Sequence, residues 1–83
     1  MATFDRDDTL RNIVTIVAEK LGIDKETIKQ DSTFQNLGAD SIDLVEIIMR
    51  MEEQFGMEIN DEDAEKMERL DDVVTYIHER RTK

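Results

Sequence analysis

The chain contains no proline and only three glycines, Gly22, Gly38 and Gly56. Almost nothing in it interrupts a helix. Glu, Lys, Met, Leu and Ile, all abundant here, are helix-compatible. The fold class this predicts is all-α. At 83 residues a single domain over 1–83 is expected. A domain of that size hides only about two-thirds of its unfolded surface, so its packing must be good. With no cysteine, neither a disulfide nor a Cys-based metal site is available. Thiol chemistry would need a thiol from outside the polypeptide.

The apolar spacing predicts where the helices lie. Leu10, Ile13, Val14, Val17 and Leu21 recur at helical intervals, which predicts a first helix over 8–21 closed by Gly22. Asp5, Asp7 and Asp8 suit its positive end. A long connection follows, residues 23–39, with a short helical turn at 24–28 and Phe34 and Leu37 as apolar anchors. Without anchors so long a loop is uncommon in a compact domain. The second helix runs from Asp40 or Ser41 to Phe55 and stops at Gly56. Asn60-Asp-Glu-Asp opens a short third helix through about Met67. A fourth spans about 70–80, with Leu70, Val73, Val74 and Ile77 on its stripe and Arg80, Arg81 and Lys83 at its basic end. The expected architecture is a small antiparallel four-helix bundle, three helices longer and one short, with a long first loop.

The second helix carries two stripes. At about 100° per residue, Leu44, Ile47, Ile48, Met51 and Phe55 gather on one side as a core face. Ile42, Val45 and Met49 gather on nearly the opposite side. Glu46 and Glu53 border that second stripe on one flank and Glu52 on the other, with Asp43 further round and Arg50 diluting the acidity. One reading buries both stripes, the second beneath the long loop. The other leaves an exposed apolar strip ringed by carboxylates, the pattern of an interaction site.

Net charge is −10, from 21 acids and 11 bases. That excludes nucleic acid and anionic membrane as natural partners and favours proteins with basic patches. It also predicts self-repulsion, relieved by salt or divalent cations. No apolar run reaches the roughly 20 residues of a membrane span, and "MATFDRDD" lacks an apolar signal core. The single histidine, His78, lies near the end of the last helix, where a positive charge is favourable. A Ser41–His78–Asp set lacks the G-x-S-x-G spacing and the strand that an esterase elbow requires. The acids at Asp5–Asp8 and Asp61–Asp63 do not follow Ca²⁺-loop spacing and read as helix-start residues, with weak divalent-cation binding as the alternative. No catalytic residue and no metal ligand is assigned.

Ser41 has two readings. Asp40 suits an N-cap and Asp43 completes a reciprocal D-x-x-D box, leaving Ser41 an ordinary first helical residue. Yet a hydroxyl on the first turn is exposed, surrounded by free N–H groups that favour an attached phosphate, and adjoins the acid-ringed strip.

"LGADSIDLVEIIMRMEEQFGMEI", within the run from "DSTFQNLGADSIDLVE" to "INDEDAEKMERLDDVVTYI", resembles the modification segment of acyl carrier proteins, most closely the discrete acidic carriers of type II fatty acid synthesis. The resemblance covers nearly the whole chain. It implies a four-helix bundle, a non-enzymatic carrier, and 4′-phosphopantetheine esterified to Ser41. That group would come from coenzyme A through a holo-acyl-carrier-protein synthase with Mg²⁺, and its thiol would hold acyl chains as thioesters. It further implies partner contacts from Ile42, Val45 and Met49 and from Asp40, Asp43, Glu46, Glu52 and Glu53. Partners would be fatty acid synthesis enzymes and acyltransferases with basic docking patches. Acyl chains would find shelter against Leu44, Ile47, Ile48 and Met51. A monomer is expected, in bacterial cytoplasm, or in an organelle stroma or matrix after loss of a transit peptide. The chain departs from the family at Ile42, where Leu is commoner, at Arg50, where a small or neutral residue is frequent, and near Asn60, where a Pro is common. Two other readings stand beside it: a specialised polyketide or peptidyl carrier, and an acidic helical adaptor or cation-binding domain with Ser41 unmodified. "GADSID" and the strong acidity favour the fatty acyl carrier.

Overall fold

The computed structural model describes residues 5–81. The expectations placed on the first four residues and on Lys83 lie outside the described residues. Four α-helices follow one another: α1 Arg6–Leu21, α2 Ser41–Phe55, α3 Asp61–Glu65 and α4 Leu70–Arg81. This is the small helical bundle expected, with three long helices and one short. Among the described residues there is no strand, only one isolated antiparallel bridge between Thr33 and Arg69.

Two helix bounds differ from expectation. α1 starts at Arg6, two residues earlier than the apolar stripe suggests. Asp5 is extended, and its carbonyl accepts the N–H groups of Asp8 and Thr9 at 3.0 and 3.3 Å. Asp7 and Asp8 therefore stand inside the first turn, where carboxylates face the positive helix end. α3 ends at Glu65, before Met67. The next N–H groups tighten to three-residue spacing, Lys66 to Asp63 and Met67 to Ala64 at 3.1 Å each. That turn swings Met67 into the core.

Gly22 and Gly56 close α1 and α2 in the left-handed conformation, with φ of 67° and 63°. At each end the glycine N–H and the following N–H both reach back to one carbonyl, Ala18 for the first helix and Glu52 for the second. A Cβ in that conformation costs about 1–2 kcal/mol. The glycine positions thus convert directly into helix lengths.

α1 packs against both α2 and α4. Lys20 pairs with Glu46, Arg50 with Glu19, and Gln54 with Asn12, so α1 and α2 run antiparallel. Ile13, Val17, Ile47, Met51, Leu70, Val73 and Ile77 are fully buried at the centre. The connection from α1 to α2 holds a 3₁₀ turn, Lys25–Thr27, inside the expected 24–28. Phe34 anchors it as expected, Leu37 is half-buried, and Ile28 adds a further buried anchor. Backbone bonds tie the loop to the approach to α4: Phe34 N–H to the Glu68 carbonyl at 3.0 Å, Leu70 N–H to Ser32 at 2.9 Å and Asp71 N–H to Gln30 at 2.9 Å.

The described ion pairs engage Arg6, Arg11, Lys20, Arg50, Arg80 and Arg81, each with a partly exposed carboxylate partner and most themselves well solvated. Such pairs contribute about 0–1 kcal/mol each, and many more acids than bases remain. Repulsion therefore dominates the salt response. The melting temperature should rise as NaCl increases from about 0.02 to 0.3 M, a range over which screening length shrinks severalfold. A melting temperature that is flat or falling over that range would contradict it.

Candidate functional site

α2 begins as its sequence dictates. Asp40 is extended, and its carboxylate accepts the Asp43 N–H at 2.8 Å. The Asp43 carboxylate returns to the Asp40 N–H at 3.3 Å. The cap is thus complete without Ser41. The Ser41 side chain is exposed and makes no hydrogen bond among the described residues. It stands on the first turn of a 15-residue helix, where backbone N–H groups lack intrahelical acceptors. Gly38, with φ of 85°, turns the loop into this start.

The second stripe of α2 is exposed, which overturns its burial under the loop. Ile42 is 68 % accessible, Val45 57 % and Met49 54 %, the large apolar residues left most exposed among the described residues. The core-facing stripe divides in two. Ile47 and Met51 are fully buried, while Leu44, Ile48 and Phe55 are half-buried. Leu44 and Ile48 instead face a groove of about 610 Å³ between α2 and α3. Ile59 and Ala64 form its other apolar wall, and Ser41 stands at its rim. Ile47 and Met51, the other two residues expected to meet an acyl chain, do not line this groove. Val45 and Met49 border it, so strip and groove share an edge.

The acids around the strip are not equivalent. Glu46 is ion-paired to Lys20. Glu52 is half-buried and accepts the Ile59 N–H at 2.8 Å, fastening the segment after Gly56 to α2. Arg50 turns toward Glu19 of α1 at 3.9 Å rather than lying across the strip. Asp40 and Asp43 hold each other's backbone but stay solvated. Glu53 is exposed and has no partner among the described residues. This unequal use of carboxylates is invisible to helical periodicity.

α3 is held to α4 by Tyr76, whose hydroxyl donates to Asp63 at 2.8 Å. Burial first, and donation to Asp63 second, push the Tyr76 phenol above its ordinary 10.0. The fold thus favours the neutral phenol. Its contribution is complete below the ordinary value and is lost as pH rises through the raised one. Tyr76→Phe should cost about 1 kcal/mol near neutrality. It should also flatten part of the alkaline loss of stability. Urea midpoints for both chains across the alkaline range check this; parallel profiles would count against it.

His78 does more than offer charge to a helix end. Its Nδ1 lies 3.0 Å from Oγ1 of Thr9, which is fully buried. Arg81 donates to the same oxygen at 2.9 Å and pairs with Asp8 at 3.1 Å. Arg81 fills one lone pair of that oxygen, and the Thr9 hydroxyl shares a second hydrogen bond with the His78 ring nitrogen. His78 is thereby committed to the junction of α1 and α4, with no hydrogen bond to Ser41. Thr9 lies four residues before Ile13 on the buried face of α1, a spacing that marks its burial but not its partner.

The comparisons agree with the geometry. A family model described as a phosphopantetheine attachment site matches residues 11–77. The chain is 46 % identical over 79 residues to an acyl carrier protein of Rubrobacter xylanophilus, covering 94 % of this chain and 98 % of that one. It is 49 % identical over 78 residues to one of Campylobacter jejuni subsp. doylei, covering 93 % and 94 %. With one from Chloroherpeton thalassium it shares 46 % over 76 residues, covering 90 % and 95 %. Those domains carry a covalently attached 4′-phosphopantetheine, and an exposed, unengaged hydroxyl on a helix's first turn, beside an apolar groove, suits such a group. By its matched residues, its relatives and its fold, this chain belongs to the acyl carrier protein family.

Proposed function

We propose that residues 1–83 act as one non-catalytic carrier domain that takes acyl intermediates between the enzymes of fatty acid synthesis. Ser41 is the attachment residue in this reading. The observation that carries it is the unengaged Ser41 hydroxyl, standing at once at a helix start, at the rim of the groove and at the end of the exposed strip. When bound through a phosphodiester to Oγ, 4′-phosphopantetheine supplies the thiol that the chain lacks, and holds acyl groups as thioesters.

The chain's own residues have three tasks. The first turn of α2 offers N–H groups and a favourable dipole at the phosphate position. Leu44, Ile48, Ile59 and Ala64 offer apolar wall to an acyl chain near its point of attachment. Ile42, Val45 and Met49, with Asp40, Asp43, Glu46, Glu52 and Glu53, form the docking face. Its occupants are enzymes with basic patches, the holo-acyl-carrier-protein synthase first. Charge complementarity supports this, since the chain carries −10. The relatives are bacterial, in keeping with a cytoplasmic carrier.

The test is intact mass after incubation with coenzyme A and a phosphopantetheinyl transferase. One phosphopantetheine adduct, mapped to Ser41, is expected. A folded chain that gains no mass would sink the carrier reading.

A further inference from the structure

The two flanks of the docking strip differ in a way that belongs to this chain's own residues. On the α1 side, Lys20 and Glu19 are adjacent in the last turns of α1. They meet Glu46 and Arg50, one turn apart on α2, in two pairs of opposite sense. Lys20 is the more enclosed partner, with its side chain 21 % exposed against 47 % for Glu46. Its place in the last turn of α1 also suits a cation, because the helix C-terminus is negative. Lys20 is thus held where it is by α1 as well as by Glu46. The middle of the acidic rim is neutralised by the protein itself. What remains outward and unpaired is Asp40 with Asp43 beside Ser41, and Glu53 at the far end. Ten residues of helix separate Asp43 from Glu53, about 15 Å at 1.5 Å per residue.

Resting on the carrier reading above, we propose that Lys20 is a specificity-determining residue of the docking face. By holding Glu46 it selects basic partner proteins whose cations sit in two groups about 15 Å apart, either side of an apolar contact to Val45 and Met49. A partner with a cation opposite Glu46 must either displace Lys20 or approach it as a like charge. A partner with a neutral or apolar group there meets no such cost. Arg50 does not share this role, because it leans to Glu19 and away from the strip.

The experiment uses the full apo chain as substrate for a holo-acyl-carrier-protein synthase with coenzyme A, reading KM and kcat for the carrier. Lys20→Met keeps the aliphatic stem that packs on the seam and removes the charge. With a synthase chosen for a cation that faces Glu46, Lys20→Met should lower KM by about three- to tenfold at low salt, with the change confined to KM. The gain should fade at high ionic strength, as contacts between solvated charges do. The double variant Lys20→Met with Glu46→Gln should return KM to about the natural value, because the freed Glu46 carboxylate is what the synthase cation gains; Glu53→Gln should raise KM with or without Lys20. A synthase variant with that cation replaced by a neutral residue should no longer distinguish Lys20→Met from the natural chain. A KM unchanged or raised by Lys20→Met with the unaltered synthase, or a double variant whose KM stays as low as that of Lys20→Met alone, would overturn the proposal. Thermal melts verify that each variant is folded. Loading of the natural chain separates the two levels: if mass rises at Ser41 yet Lys20→Met has no effect, this inference fails and the carrier reading stands. If the natural chain takes no adduct, both fall.

Discussion

Replacing Ser41 with Ala should abolish loading completely and leave the fold unchanged. The α2 cap is made by the Asp40 carboxylate on the Asp43 N–H, with Asp43 returning to Asp40. The Ser41 hydroxyl takes no part in it. The side chain is exposed, and Ala is the better helix former. Stability should therefore stay within about 0.5 kcal/mol, as for ordinary surface substitutions. Intact mass after incubation with coenzyme A and transferase should show the full adduct on the natural chain and none on Ser41→Ala. Urea unfolding of the two chains should superimpose. An adduct persisting on Ser41→Ala would move the attachment to another hydroxyl. A marked loss of stability would return Ser41 to a structural role.

The second large effect separates two methionines two positions apart. Met51 is fully buried where α2 meets the core, and Met49 is 54 % exposed on the opposite face. Met51→Ala removes buried methylenes and leaves a void, at a cost of about 2–5 kcal/mol. For a domain whose total stability is about 5–15 kcal/mol, that is enough to unfold part of the population at moderate temperature. Met49→Ala should shift stability by no more than about 0.5 kcal/mol. It should instead weaken docking to a transferase by about 1 kcal/mol or more, if the strip is the contact. Urea midpoints report the first effect and KM for the carrier the second. Comparable destabilisation by both would mean that the strip is packed in solution. A normal KM for Met49→Ala would leave the exposed strip without its proposed occupant.

Much of α2 was legible in its residues. Asp40 and Asp43 at three-residue spacing suit a reciprocal box at a helix start, although Asp5 and Asp8 share that spacing without forming one, and Gly56 terminates the helix because its φ of 63° excludes most side chains. The two stripes also followed from periodicity. Whether the second stripe was also buried did not, since helical spacing marks apolar faces without saying what covers them. The same limit explains Leu44 and Ile48, which share a stripe with Ile47 and Met51 but face the groove beside α3. α3 is only five residues long and held by Tyr76 and Asp63 across 13 positions, a contact with no periodic signature. Thr9 and His78 meet across 69 positions for the same reason.

The sequence by itself determined that the chain is helical, where α2 starts and stops, and that a serine opens a helix bearing two apolar faces in an acidic protein. Those are local properties, written in steric limits at glycine, in reciprocal carboxylate caps and in residue spacing. The tertiary structure alone decided that the second face of α2 is left to solvent, which carboxylates are already taken by Lys20 and by the Ile59 amide, and where the groove opens beside Ser41. Those depend on how α1, α3 and the 23–39 loop pack around α2. The energy of each such contact depends on groups distant in the chain, which no local pattern encodes.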